Sequence, residues 1–281
     1  MNNFSFFDEI PEIKIVDVGA SDIGGTQSYQ KIIDDGFASL IGFEPNKQAC
    51  KELNDNNKNS KCKFLPYFIG DGELATFHET NWVATGSLFA PNTRLLDKFQ
   101  NLSELVTPKL KHQVKTIRLD DIPEIKKIDF LKMDIQGGEL SALSNATNLL
   151  KSTLVIQTEV EFVELYKDQP LFSDIDKFLR SQGFQFHCFK GVSGRAFKPL
   201  ICDNDINKMI NQQLWSDAIY VKDWMSLESL NEEALITYAI LANEVLNSPD
   251  LAHLVLQKID NLKNSNFAVT FLNKLTSSPE K

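Results

Sequence analysis

Two acids at the ends of apolar runs carry the first chemical signal in the chain. Residues 15–25 read Ile-Val-Asp-Val-Gly-Ala-Ser-Asp-Ile-Gly-Gly, and residues 41–46 read Ile-Gly-Phe-Glu-Pro-Asn. Each is a strand-like run that ends in an acid, Asp17 in the first and Glu44 in the second. Glycines such as Gly19 and Gly24 let backbone approach a ligand where a Cβ would clash. An acid at the tip of the next strand can accept hydrogen bonds from both hydroxyls of a ribose. The layout suits a cofactor built on a nucleoside. A dinucleotide needs G-x-G-x-x-G to cradle its pyrophosphate. Here the position two after Gly19 is Ser21, and Asp22 is a poor neighbour for phosphate. S-adenosylmethionine has no phosphate and carries a cationic sulfonium and an amino-acid tail, so an acidic loop suits it. The reading assigns Asp17, Gly19, Ala20, Ser21, Gly24, Glu44 and Pro45 to cofactor binding. Asp17 is expected at the methionine ammonium, although it would also serve as a cap for the following turn.

A second group of acids lies further along. Asp134-Ile-Gln-Gly-Gly-Glu139 ends the fourth apolar strand of the series. In open α/β sheets ligands sit outside the carboxyl ends of strands, where strand order reverses. The first and fourth strands should flank that point, which places Asp134 at the sulfonium and beside the incoming substrate. Side chains alternate along a strand, so Gln157, Glu159 and Glu161 share one face of the fifth. Acids at the end of an apolar strand need a partner or a task. Glu159 is read as the general base. Glu139, Glu161 and Ser87 are read as substrate-binding residues. The competing roles are a helix-dipole acid at Glu139 and salt bridges from the strand acids to Lys132 or Arg180. His78 is the second candidate base. The spacing of the acids is no metal motif, and no metal is expected.

These residues need a scaffold, and the pattern supplies one. Short apolar runs alternate with helical stretches, the mark of a parallel α/β sheet. Strands are expected at 14–18, 39–43, 63–69, 129–134, 153–160, 184–189 and 218–221, with a short one at 74–78 and another at 113–119. Phe68 then ends the third strand, where an adenine should lie. Helices are expected at 27–35, 47–56, 139–150 and 173–181. Residues 79–112 break the rhythm and read either as a lid or substrate insertion or as a surface helical excursion. From about Ser226 the pattern is purely helical, over 232–246, 251–262 and 267–275. The tail contains Tyr238, Leu241, Leu246, Leu251, Leu254 and Leu256. Its apolar faces must dock either on the catalytic domain or on a second subunit, and of the two a homodimer through these helices is the expectation.

Several of these motifs together resemble the FkbM-type family of S-adenosylmethionine-dependent methyltransferases. The matching residues are Val16-Asp-Val-Gly-Ala20, Gly42-Phe-Glu-Pro45, Leu119-Asp-Asp-Ile122, Ile128-Asp-Phe-Leu-Lys-Met-Asp-Ile-Gln-Gly-Gly-Glu139, Thr158-Glu-Val160, Glu164-Leu-Tyr-Lys-Asp-Gln-Pro-Leu-Phe172 and Gly183-Phe184. They occur in order over about residues 13–225. The resemblance implies a Rossmann-like seven-stranded methyltransferase sheet with helices on both faces. It also implies O-methylation, typically of a hydroxyl on a sugar, glycan or secondary metabolite. The loop departs from the usual family pattern, because Gly19-Ala-Ser-Asp-Ile-Gly24 holds one residue more. The organisation expected is a methyltransferase domain over 1–225 and a helical extension over 226–281.

Composition narrows the alternatives. A net charge of −9 with no basic block argues against a nucleic-acid surface. Four widely spaced cysteines without C-x-x-C indicate reduced thiols rather than a disulfide frame or zinc site. The start of the chain shows no signal-peptide pattern and no run reaches membrane-span length, so a soluble cytoplasmic protein is expected. The partner is then a small-molecule or glycan acceptor. Two rival functions stand beside the methyltransferase. One is a nicotinamide-dependent oxidoreductase, since 20 residues separate Gly24 from Glu44. The other is a non-catalytic cofactor-binding or scaffold protein.

Overall fold

The computed structural model describes residues 2–20 and 26–277. Its centre is β1 (Ile13–Val18), in which every residue except Lys14 is buried. Such a continuous apolar run fits a strand covered on both faces. On one side β1 pairs in parallel with β2 (Ala38–Phe43), and β2 with β3 (Cys62–Leu65). On the other side it pairs in parallel with β7 (Phe130–Met133), and β7 with β8 (Val155–Glu161). β10 (Trp215–Lys222) runs antiparallel to β8 and to the edge strand β9 (Phe184–Ser193). The order is β3-β2-β1-β7-β8-β10-β9. The expected seven-stranded α/β sheet is present, and strand order reverses between β1 and β7.

Two apolar layers cover the sheet. One holds α5 (Glu139–Ser144) and α6 (Phe172–Ser181), with Val16, Leu131, Ile156 and Tyr220 from the strands. The other holds α1 (Gln30–Asp34) and the C-terminal helices α7 (Glu232–Glu244), α8 (Pro249–Lys263) and α9 (Phe267–Ser277). α2 (Lys47–Asn56) links β2 to β3, and its N-cap Asn46 accepts from the N–H groups of Gln48 and Ala49.

Two expectations change here. The strand expected over 63–69 is two strands, β3 in the main sheet and β4 (Phe68–Ile69) in a separate one. Pro66 has no N–H for the ladder and ends β3. The small sheet has the order β4-β6-β5, with β5 (Leu74–Thr80) antiparallel to β6 (Pro108–Ile117). The run expected at 113–119 therefore belongs to this sheet and not to the main one. Residues 81–107 leave the hairpin as an excursion holding α3 (Thr93–Leu96) and α4 (Leu102–Leu105). Leu96, Phe99, Leu102 and Val106 pack there on Tyr166 and Leu214.

The basis for the homodimer also changes. Tyr238, Leu241, Leu251 and Leu256, which called for a docking surface, are buried against this chain's own sheet. α7 is buried on all sides over Leu235–Ala242, because it lies between the strands and α8. The Tyr238 hydroxyl donates to the Lys222 carbonyl at 2.7 Å. Lys31 pairs with Glu244 at 2.8 Å, and Lys127 with Glu233 at 2.8 Å. Leu254 faces out with 39% exposure. The helices thus complete one side of the sheet's core.

A chain ending at residue 225 should not hold its native core, because Ile13, Ile15, Phe130 and Val155 lose their cover. Leu256→Ala in the full chain should cost roughly 2–5 kcal/mol by urea unfolding. A 1–225 chain that melts cooperatively near the full-length temperature would disprove this dependence.

Candidate active site

The site forms where the turns after β1 and β7 touch. Gly19 has φ +89°, and a Cβ there would lie 2.0 Å from the Asp134 carbonyl oxygen. Only glycine satisfies both the backbone angle and the contact. The Asp134 N–H donates to the Val18 carbonyl at 2.9 Å, which holds the two strand ends together. Above them opens a cavity of about 850 Å³. That volume lies in the upper part of the range of small-molecule sites, roughly 300–1,000 Å³. One half is bounded by Gly19, Phe43, Glu44, Pro45, Tyr67 and Phe68. The other half lies under the excursion and includes Thr85, Ser87, Leu105, Tyr166, Arg195 and Trp215. Asp134, Gln136 and Glu159 stand among its lining residues as well.

Gln136 joins the acids. Its Nε2 donates to Asp134 Oδ1 at 3.0 Å and to Glu159 Oε2 at 2.6 Å. The Tyr166 hydroxyl lies 2.9 Å from Gln136 Oε1 and 2.8 Å from the Thr85 carbonyl, with one proton to serve them. Gln136 has φ +57°, a left-handed conformation uncommon for a side-chain-bearing residue. The Ser87 hydroxyl donates to the Gln136 carbonyl at 2.6 Å and accepts from the Phe89 N–H at 2.9 Å. These bonds hold the turn and fasten the excursion to it.

The residues expected in the site divide into three groups. Gly19, Glu44, Pro45, Phe68, Ser87, Asp134 and Glu159 line the cavity. Glu44 accepts from the Asn46 N–H at 2.7 Å, and burial raises its carboxyl above the usual range. Asp17, Ala20, His78, Glu139 and Glu161 do not line it. Asp17 is 1% exposed and accepts from the Tyr29 hydroxyl and from Lys132 Nζ at 3.2 Å. Its carboxylate is engaged inside the α1 layer, as an internal ion pair. Ala20 is buried beside Gly42. His78 lies between Phe77 and Glu79, which do face the cavity, so strand alternation turns its ring away. Ser21 and Gly24 lie outside the described residues.

Glu139 and Glu161, expected at the substrate, do not line the cavity. Glu139 is fully buried and accepts from the Ile135 N–H at 2.7 Å, closing the turn that Gly137 and Gly138 permit. Glu161 is 1% exposed. Ser87 lines the cavity, but its hydroxyl is committed to backbone. Burial pushes the Glu139 carboxyl up to about 7, against the pull of backbone N–H groups. Burial raises Glu159 and Glu161 well above the usual carboxylate range, and the neighbouring acids add to it. Among the described residues no cluster of His, Cys, Asp or Glu is arranged to hold a metal ion.

Sequence reasoning missed several lining groups. Gln136 stood inside a motif read only for its acids and glycines. Tyr166 stood inside the 164–172 segment, which carried the resemblance but no assigned role. His112 pairs with Glu79 across the β5–β6 hairpin at 3.0 Å and lines the cavity with it. Nothing local marked His112, because its partner comes from another strand. Arg195 and Trp215 follow β9 and begin β10, and meet only in the folded sheet.

The fold and site accord with the family comparison. The methyltransferase FkbM domain matches residues 17–186. The chain belongs to the FkbM methyltransferase family. That membership displaces the oxidoreductase alternative. No curated protein matches the chain. Among solved structures it is similar to magnesium protoporphyrin IX methyltransferase from Synechocystis with bound S-adenosylmethionine, at 12% identity over 76% of this chain and 71% of that one, with TM-score 0.38. It is also similar to a TehB-like S-adenosylmethionine-dependent methyltransferase from Corynebacterium glutamicum, at 11% identity over 76% and 83% of the chains, with TM-score 0.36. A third is the 23S rRNA methyltransferase ErmE, at 8% identity over 90% and 93%, with TM-score 0.33.

The raised carboxyl of Glu139 has a stability consequence. Between pH 4.5 and about 7 the folded state keeps a proton that the unfolded chain has released. That stabilisation is full below the lower value and is lost as pH rises through the upper one. Relative to Glu139→Gln, the wild-type protein should therefore lose stability from pH 5 to 8, on the order of 3 kcal/mol. Denaturant unfolding of both proteins across that range measures the difference. Parallel profiles would show that Glu139 does not titrate this way.

Proposed function

We propose that this chain transfers a methyl group from S-adenosylmethionine to a hydroxyl of a sugar, glycan or secondary metabolite. The observation that carries the reading is the set of residues that line one cavity. Glu44 with the aromatic Phe43, Tyr67 and Phe68, the excursion's Thr85 and Ser87, and Asp134, Gln136 and Glu159 all face it. The cofactor fits the residues present. Glu44 has one backbone donor and free acceptor capacity for ribose hydroxyls. Phe43, Tyr67 and Phe68 offer apolar and aromatic faces to a base. Asp134 supplies negative charge beside the sulfonium.

S-adenosylmethionine supplies a methyl group already activated by positive sulfur. The chain must then place an oxygen in line with it and take the oxygen's proton. Alignment alone can supply much of the rate. Glu159 Oε2 is the proton acceptor in this reading. Gln136 holds Glu159 to Asp134, and Tyr166 fixes the far end of the Gln136 amide. Burial and neighbouring acids raise Glu159, so its conjugate base is strong once formed. The acceptor is a small molecule or glycan rather than nucleic acid, since the chain carries a net −9. Among the described residues no helix is long and apolar enough to cross a membrane. Cys50, Cys62, Cys188 and Cys202 are unpaired, which fits a reducing cytoplasm.

Two substitutions test the two halves. Glu44→Ala removes the ribose acceptor and should weaken S-adenosylhomocysteine binding by roughly 1.5–3 kcal/mol in calorimetric titration. Unchanged affinity in a folded variant would exclude the ribose role. Glu159→Gln should slow turnover by roughly 10²–10⁴-fold while cofactor affinity stays close to wild type. Because Glu159 must be ionised to accept a proton, wild-type turnover should climb with pH through its raised pKa. The glutamine variant should lack that limb. Equal turnover in labelled-methyl assays would move the base elsewhere, with His112 next in line.

A further inference from the structure

The excursion half of the cavity contains cations that no acid neutralises. Arg195 lines it, with its guanidinium carbon 5.2 Å from the centroid of the Trp215 ring. Its Nη1 donates to the Gly194 carbonyl at 2.8 Å. Its Nε is buried with no hydrogen-bond partner. Lys109 lines the same cavity, and its Nζ donates to the Asn81 carbonyl at 3.4 Å. Among the described residues no carboxylate forms an ion pair with either side chain. Asp205 acts on Arg195 through its charge, without contact.

This arrangement runs against the composition. The chain has 38 acidic and 29 basic side chains, so carboxylates are in surplus. The buried Nε is closed to a ligand, so an incoming acceptor would meet the outer Nη1 and Nη2 groups. Trp215 holds the guanidinium plane from one side, as cation–π stacking does. The planar fork that remains suits a bidentate oxyanion. Trp82 and Tyr166 add aromatic faces to the same half.

We propose that this half of the cavity is a subsite for an acceptor carrying an oxyanion, a carboxylate or a phosphate, which Arg195 binds with Lys109 as a second cation. The proposal rests on the methyltransferase reading and specifies its acceptor: a hydroxyl to be methylated and, on the same molecule, an anionic group. The hydroxyl would lie toward Glu159 and the anion toward Trp215. An uncharged acceptor would leave the guanidinium charge without a counter-ion and bind less well.

The test uses the full chain saturated with S-adenosylhomocysteine. Methyl glucuronide, glucose-6-phosphate and methyl glucoside are titrated in turn by calorimetry. At least one of the two anionic sugars should bind roughly 10-fold or more tightly than the neutral one, and the two anions separate carboxylate from phosphate preference. Arg195→Gln should weaken the preferred anion by about 10–100-fold and leave S-adenosylhomocysteine affinity unchanged. Arg195→Lys should restore only part, because an ammonium lacks the fork. Binding of no anionic sugar, equal binding of the neutral one, or wild-type anion affinity in Arg195→Gln overturns the proposal. Failure of the wild-type chain to bind S-adenosylhomocysteine would instead strike the methyltransferase reading beneath it.

Discussion

The contact between the Gly19 turn and the Asp134 carbonyl is the constraint from which the site is built. Two parallel strands leave their pairing at the same level, and both chains must turn away within a few residues. The missing Cβ at Gly19 lets the turns meet. The strand-order reversal then opens a crevice that no connection crosses. Everything that lines the centre of the cavity follows from this junction. Asp134 points into it, Gln136 is thrown into a left-handed conformation just beyond it, and Glu159 arrives beside it from β8.

The junction also concentrates negative charge where water is scarce. Asp134, Glu139, Glu159 and Glu161 come from two strand ends and one helix start. Burial makes the ionised forms of Glu139, Glu159 and Glu161 expensive, so these three carboxyls titrate high. Such a group is unfavourable for an empty pocket and favourable beside a bound cation. Glu139 and Glu161 do not line the cavity, so their effect on a ligand acts through charge and, for Glu139, through the turn it closes. The Gln136 amide spends its two N–H groups on the two accessible acids, which sets their spacing.

Cover for this centre comes from opposite ends of the chain order. The 81–107 excursion reaches over the cavity and is pinned by the Ser87 hydroxyl on the Gln136 carbonyl. Tyr166 belongs both to the excursion's apolar cluster and to the hydrogen bonds at Gln136. A shift of the excursion would therefore be felt at the acids. The C-terminal helices act from the far side of the sheet, where they bury Ile13, Ile15 and Phe130. They hold the strands whose tips form the site without approaching the cavity.

Much of this was readable from local pattern. Apolar runs punctuated by glycine and ending in Asp17, Glu44 and Asp134 announced the parallel sheet and its active edge. Period-two alternation correctly grouped Glu159 with Glu161, since side-chain direction in a strand is a local property. Local pattern could not say which of these acids reach solvent. Asp17 was claimed by Tyr29 and Lys132, Glu139 by the Ile135 N–H, and His78 faced away because β5 joined a separate small sheet. Lys132 is distant from Asp17 in sequence, and the small sheet of β5 joins separated segments, whereas the Glu139 bond is local but forms only in the folded turn. The same holds for the tail, whose amphipathic helices showed that a surface would be buried but not which one. Arg195 over Trp215, and His112 on Glu79, exist only because strands far apart in the chain lie side by side. Backbone periodicity is a short-range property and survives in the sequence, whereas burial and pairing of charged side chains are long-range and arise in the packed fold.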